Sequence, residues 1–351
     1  MALKNTLNKP VGVIGAGGFG TAVANLLAYN TDVLLYTRSQ AVAKHIQQTR
    51  VAAEQAIAPN ITPIADLSAL TKHCTVIFPV VPSQNFRALL DQLAPLLGPH
   101  HILIHGTKGL DVRWPVSTGS EKVAPLAREQ IKTISELIQA KTKVKLVGCL
   151  AGPNLASELA QGQPAAAVVA SLSGQVLEQG QKLLRSDRFQ VYTNQDIIGV
   201  ELCGALKNII AIGAGCLAGL GYGENAKALL ISRGLVEMIH LGKAMGASVQ
   251  PFLGLAGIGD LVATCASKLS RNFRVGYHLA QGETLEQILA SAQETVEGIH
   301  TVKVVASLIA HYQMRAPISE MMYRILFEQL PVQEAIQYLM KYPLSMDVDF
   351  L

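Results

Sequence analysis

Charge is scarce in this chain. Asp, Glu, Lys and Arg make up 15% of its 351 residues against 50% apolar ones, a balance that excludes a disordered chain and favours packed cores with surface left for a buried subunit interface. The net charge of +4 comes without any run of Lys and Arg interleaved with aromatics. A nucleic-acid partner is therefore not expected, and a small anionic ligand fits better. Cysteines are few and odd in number. Cys74, Cys149, Cys203, Cys216 and Cys265 are scattered along the sequence and read as reduced, buried thiols of a cytosolic protein. No Cys or His pair has metal-ligand spacing, so no metal is expected, and there is neither a serine nucleophile elbow nor a Walker loop. The first ten residues lack the apolar core of a signal peptide. The most apolar stretch, residues 197 to 223, is interrupted by Glu201, Lys207 and several glycines, which predicts a buried helix and no membrane span.

What the chain does carry begins at Val11. The β-branched run Val11-Gly12-Val13-Ile14 leads into Gly15-Ala16-Gly17-Gly18-Phe19-Gly20 and then into an Ala/Leu-rich helical stretch. Strand, glycine turn and helix in that order form the dinucleotide-binding unit. Gly15 makes the tight turn, Gly17 lets the backbone approach a pyrophosphate, Gly20 lets helix pack on strand, and the helix N-terminus offers free N–H groups. The next strand, Val33 to Tyr36, ends in Thr37-Arg38-Ser39 with no acid to hold ribose hydroxyls. Arg38 suits a 2′-phosphate and favours NADP over NAD, the alternative being a solvated surface arginine. Further strands are expected at residues 75–81, 102–104, 145–147, 165–170 and 189–193. The exit loop His105-Gly106-Thr107-Lys108-Gly109 places a cation where ligands collect, unless Lys108 is a plain turn lysine. Residues 111–143 read as an insertion bearing a polar helix from about Lys122 to Gln139. Ala151-Gly152-Pro153-Asn154 is another strand exit.

After Thr193 the strand signal stops and the period becomes helical. The expected architecture is an α/β Rossmann-like doubly wound sheet over residues 1–195 followed by an all-α domain over 196–351. Within the second half, Gly204-Ala205-Leu206-Lys207-Asn208 sets one ammonium on a helix face of small and apolar residues. Desolvation there would bring its pKa into a range useful for proton exchange, whereas a lysine snorkelling to water would do no chemistry. That helix is expected to end at residues 219–223, with Asn225 capping the next one. Asp260, after the glycine-rich turn at 254–259, reads either as an N-cap or as a carboxylate beside Lys207. Ser270 caps a helix whose first N–H groups, with Arg271, would hold a phosphate, a motif also common by chance. Glu297 on its own reads as a surface acid.

Taken together these stretches are specific. V-I-G-A-G-G-F-G-T-A at 13–22, V-P-S at 81–83, G-T-K-G-L at 106–110, G-P-N at 152–154, G-A-L-K-N at 204–208, S-R-G-L at 232–235, G-L-A-G-I-G-D-L at 254–261, S-R-N at 270–272 and V-E-G at 296–298 occur in this order. In that order the chain resembles the NAD(P)-dependent glycerol-3-phosphate dehydrogenases of the bacterial type. The resemblance implies reversible reduction of dihydroxyacetone phosphate to sn-glycerol 3-phosphate, a cytoplasmic step supplying phospholipid backbones, usually by a homodimer. It implies cofactor contacts from Gly18, Phe19, Arg38, Lys108, Arg271, Val296 and Glu297. Substrate contacts would come from Lys108, Gly152, Asn154, Ala156, Asp260, Ser270, Arg271 and Asn272, and Lys207 would exchange the proton. Three departures stand out: Asn154 where Ser or Thr is usual, Glu224 where Asp is usual, and the long 111–143 segment. A β-hydroxyacid dehydrogenase would also place a lysine on a helix after a dinucleotide domain, but with a differently spaced glycine approach. A dinucleotide-sensing protein without catalysis is the remaining alternative.

Overall fold

Short apolar strands buried on both faces can pair in parallel only if helices cover both sides, and the first half of the chain is built this way. The computed structural model describes residues 9–114, 125–291 and 295–343. Eight strands form one sheet: β1 (Val11–Ile14), β2 (Val33–Tyr36), β3 (Ile61–Ile64), β4 (Val76–Pro79), β5 (Ile102–His105), β6 (Leu146–Ala151), β7 (Ala165–Ala170) and β8 (Phe189–Asn194). Their order is β8-β7-β6-β5-β4-β1-β2-β3, parallel throughout except for the β6–β7 pair. The reversal of winding between β1 and β4 creates the crevice in which such sheets bind ligands. Side-chain alternation feeds two cores. Val76, Phe78, Ile102 and Ile104 point to one face, and Ile77 and Leu103 to the other, as the period of two along a strand requires. The strand Ile61–Ile64 was not expected from the sequence. It lies at the sheet edge, where Pro63 is tolerated because no further strand calls on its missing N–H.

The sequence reading divides the chain once, at 195. By contact density it divides into Met1–Lys108 with Ile134–Val200, and Gly109–Thr133 with Glu201–Leu351. The polar helix expected from about Lys122 to Gln139 is corrected. Residues 122–124 lie outside the described residues, Arg128–Gln130 form a single 3-10 turn, and Ile131–Lys132 pair antiparallel with Asp111–Val112. The helix that does form, Ile134–Lys141, belongs to the first unit and buries Ile134, Leu137 and Ile138, an i, i+3, i+4 stripe.

Apart from that two-stranded ribbon the elements among the described residues of the second unit are helical, including α2 (Ile197–Gly219, which enters the unit at Glu201), α3 (Glu224–Ala244), α4 (Asp260–Ala266), α5 (Arg271–Ala280), α6 (Glu297–Tyr312) and α7 (Pro317–Phe327). Every residue of α2 from 201 to 217 is buried, the condition of a core helix that happens to be apolar enough to cross a membrane. Its partner α5 approaches so closely that a Cβ on Gly215 would lie 1.9 Å from the Phe273 carbonyl oxygen, and one on Gly276 would lie 1.8 Å from that of Ile212. Glycine at both places sets the spacing of these helices, and with it the position of the Ser270 turn. Asn225 does not cap α3. Gly223, in extended conformation, takes the cap position, which leaves Asn225 exposed in the first turn.

Glu237 of α3 is buried and serves the start of α7. Its carboxylate accepts from the Ile318 N–H at 2.6 Å, the Ser319 N–H at 3.0 Å and the Ser319 hydroxyl at 2.9 Å. Burial pushes this carboxyl up to about 7, although the three donors and nearby Arg233 oppose the shift. The folded state then holds a proton that the unfolded chain has already released. Its contribution to stability is full below about 4.5 and is lost as pH rises through about 7. Denaturant titrations of wild type and Glu237→Gln should therefore differ by a pH-dependent amount. Wild type should lose on the order of 3 kcal/mol relative to the variant between pH 5 and pH 8, and parallel curves would contradict this.

Candidate active site

On the first unit, five strand exits converge on one edge of the sheet. The Gly15 N–H donates to the Tyr36 carbonyl at 3.1 Å and the Val80 N–H to that of Ile14 at 2.8 Å, so the loops after β1, β2 and β4 hold one another. Gly15 has φ +117° and its Cβ would strike the Val80 carbonyl at 2.3 Å, while a Cβ on Gly20 would strike the Gly15 carbonyl at 1.9 Å. Gly17 has no atom within 4 Å of where its Cβ would be. The turn is thus packed on its protein side and open where a pyrophosphate must come close, at the head of α1 (Gly18–Ala28). These residues fit a dinucleotide. Arg38 is exposed immediately after β2, and Ser39 caps the helix Gln40–Thr49 through the Val42 N–H.

The loop after β5 is tied down by the Thr107 hydroxyl, which donates to the Val81 carbonyl at 2.6 Å. Lys108 donates to the Gly152 carbonyl at 2.9 Å and lies 5.9 Å from the centre of the Phe19 ring. The structure thereby brings Phe19, Lys108 and Gly152 together. Asn154 is 9% exposed, and both polar atoms of its amide lack a hydrogen-bond partner among the described residues, an expensive condition in a finished core and an expected one at a ligand contact. Ala156 opens a short helix beside the glycine turn, its Cβ 3.8 Å from where a Gly18 Cβ would stand.

The second unit holds a separate cluster. Lys207, at 5% exposure, donates from Nζ to Asp260 Oδ1 at 2.6 Å and to the Thr264 hydroxyl at 2.5 Å. Thr264 in turn donates to the Asp260 backbone carbonyl at 2.6 Å, so its lone pairs are what it offers to the lysine. Of the two readings of Asp260, capping is the one the structure corrects. A single π-type turn, Leu255–Gly259, runs straight into α4, which leaves Asp260 inside continuous helix with its carboxylate turned to Lys207. Turns of this kind are frequent at functional sites. The setting of Lys207 is not purely apolar as its neighbours in sequence suggested, because a buried carboxylate and a hydroxyl stand against its ammonium. Thr264 escaped the sequence reading, although it stands four residues after Asp260 and so shares its face.

Ser270 caps α5, its hydroxyl accepting from the Phe273 N–H at 3.3 Å. Arg271 donates to the Thr295 carbonyl at 2.9 Å, next to the buried Val296 that caps α6 and to Glu297 in its first turn. Asn272 faces inward. Its Nδ2 donates to Asn208 Oδ1 at 2.9 Å and its Oδ1 accepts from the Gly298 N–H at 3.0 Å. A buried amide pair therefore locks α2, α5 and α6 to one another, a pairing of Asn208 that no local pattern announces. Cys265, in the same region, is desolvated and its thiol is pushed up to about 12. Cys74 and Cys216 are raised as far, and all five cysteines are buried. These three are not nucleophilic thiolates, and burial shields all five from reagents. Iodoacetamide at neutral pH should leave the folded protein active and label the five thiols only after unfolding, as peptide mass mapping would show.

A turn that admits a pyrophosphate serves hydride transfer, and a desolvated ammonium is what the oxygen end of such a reaction needs. Fold and clusters are those of a dinucleotide-dependent oxidoreductase. Residues 10–177 match the family model described as NAD-dependent glycerol-3-phosphate dehydrogenase N-terminus, and residues 196–337 match its C-terminus; the chain belongs to this family. It is 37% identical over 351 residues to a glycerol-3-phosphate dehydrogenase (NAD(P)+) of Pseudomonas savastanoi pv. phaseolicola, covering 99% of this chain and 98% of that one. With a Staphylococcus aureus relative of the same name it shares 37% identity over 337 residues, 94% of this chain and 97% of the relative. The crystal structure of glycerol-3-phosphate dehydrogenase from Coxiella burnetii superimposes with a TM-score of 0.83 at 32% identity, covering 95% of this chain and 99% of the other. D-mandelate dehydrogenase shares only the fold, at 14% identity and a TM-score of 0.55.

Proposed function

We propose that this protein catalyses the reversible NAD(P)H-dependent reduction of dihydroxyacetone phosphate to sn-glycerol 3-phosphate. The observation that carries the reading is the buried Lys207–Asp260–Thr264 cluster, in a chain whose two parts both match the glycerol-3-phosphate dehydrogenase family. When bound, the nicotinamide supplies the hydride that adds to the ketone carbon. The chain's own residues do the rest. Lys207 gives its proton to the alkoxide oxygen as it forms, and in the reverse direction it takes the proton from the alcohol. Asp260 and Thr264 fix the ammonium in place, so no reorganisation is needed as charge develops. Lys108 adds positive charge, and Ser270, Arg271 and the first N–H groups of α5 grip the substrate phosphate.

Gly15, Gly17, Gly18, Phe19 and Gly20 seat the dinucleotide, with Val296 and Glu297 completing its site. Asn154 and Gly152 face the substrate together with Ala156. Arg38, with no carboxylate at the end of β2, favours NADP over NAD. The product is the backbone of glycerophospholipids, and the reading extends to a role in lipid synthesis, in the cytoplasm and as a homodimer. Addition of dihydroxyacetone phosphate to enzyme with NADPH, and separately with NADH, tests the reading. Consumption of NADPH at the lower KM supports it, and no consumption of either rejects it.

A further inference from the structure

The small hairpin that pairs Val51–Ala52 with Gln55–Ala56 carries its turn on Ala53 and Glu54, at φ 45° and 62°. Two consecutive left-handed residues belong to the turn that Asn-Gly ordinarily makes, and residues bearing Cβ adopt it at a cost. Arg50, at φ 56°, adds a third such residue. Backbone of this kind persists where its surroundings over-determine it, which is most often near function. Here Asn25 of α1 ties the far strand, donating to the Ala56 carbonyl at 2.9 Å and accepting from the Ala58 N–H at 3.0 Å. At the head of α1, Gln55 Nε2 donates to the Gly18 carbonyl at 2.8 Å. A carbonyl can only accept, so this bond fixes which end of the amide is which. The other end, Oε1, is buried and has no hydrogen-bond partner among the described residues. The amide nitrogen is 3.7 Å from where a Gly18 Cβ would stand. The hairpin therefore presents an unused acceptor beside the turn that admits the pyrophosphate.

We propose that Gln55 is a cofactor-positioning residue: its Oε1 accepts a hydrogen bond from a donor in the adenosine half of the bound dinucleotide while its Nε2 holds the Gly18 turn. An acceptor cannot serve ionised phosphates, so the donor is a ribose hydroxyl or the adenine amino group, both present in NADH and NADPH alike. Gln55 thus adds affinity for either dinucleotide, and the choice between them stays with Arg38. The inference rests on the reading of Gly15–Gly20 as the dinucleotide turn.

The test is titration of the full-length protein, without substrate, by nicotinamide fluorescence for NADPH and NADH and by competition with ADP. Gln55→Leu should raise all three dissociation constants about tenfold and leave kcat and the KM for dihydroxyacetone phosphate unchanged. Unaltered constants overturn the proposal, and loss of NADPH affinity without loss of ADP affinity overturns the assignment to the adenosine half. Asn25→Ala loosens the same hairpin without touching the amide, and should weaken binding far less. Equal weakening would mean that hairpin order, not Oε1, is responsible. Failure of the wild type to bind any of the three probes would reject the dinucleotide turn itself.

Discussion

Replacing Lys207 with alanine is expected to lower kcat by about a hundred- to ten-thousand-fold, the contribution of a positioned proton donor, while NADPH still binds. The dinucleotide turn lies wholly within the first unit and the lysine within the second, so binding and proton transfer should separate cleanly in the variant. The substitution also removes the ammonium from a carboxylate that is 2% exposed, and breaking a buried ion pair from one side costs about 3–5 kcal/mol. A drop in melting temperature should accompany the loss of rate. The double variant Lys207→Met/Asp260→Asn, which removes both charges, should recover much of the stability and none of the activity. Thr264→Val keeps shape and volume but removes the hydroxyl that Lys207 contacts. It should cost about tenfold in kcat, the scale of one hydrogen bond. An alanine variant with wild-type turnover would remove Lys207 from the mechanism.

The second large effect concerns the phosphate, remote from the reacting carbon. Binding energy gathered there is spent on orienting the ketone, so its loss should lower kcat as well as affinity. Unphosphorylated dihydroxyacetone should have a kcat/KM at least about a thousand-fold below that of its phosphate ester, equivalent to about 4 kcal/mol of transition-state binding. Arg271 makes the comparison sharper. Its guanidinium is exposed and anchored to the Thr295 carbonyl, so Arg271→Ala should leave the fold intact. It should depress turnover of the phosphorylated ketone strongly and that of dihydroxyacetone little, narrowing the ratio between them. A ratio unchanged by the substitution would place the phosphate elsewhere.

Much of this is legible in the amino-acid sequence, for identifiable reasons. The glycine turn was readable because its spacing answers to backbone geometry that only glycine meets, and Gly15 and Gly20 show the contacts that enforce it. The buried strands were readable because parallel pairing demands unbroken apolar runs. Lys207 could be singled out because an ammonium on a buried helix face is costly without a purpose. What escaped depends on contacts between residues distant in the chain. Whether Asp260 caps a helix or pairs with Lys207 is decided by a π-type turn that no local signal announces. Asn208 and Asn272 meet across 64 positions, and Glu237 finds the start of α7 at Ile318. The strand at Ile61–Ile64 was hidden by its proline, which an edge position excuses, and the hairpin at 53–54 by a turn without glycine or asparagine.

In the proposed function the dinucleotide and Lys207 serve one and the same ketone. NADPH carrying deuterium at the transferable position of its nicotinamide, incubated with dihydroxyacetone phosphate, tests it most directly. The label should appear at carbon 2 of sn-glycerol 3-phosphate in wild type and, in proportion to the residual rate, in Lys207→Ala. Label lost to water, or product formed at the wild-type rate without Lys207, would contradict it.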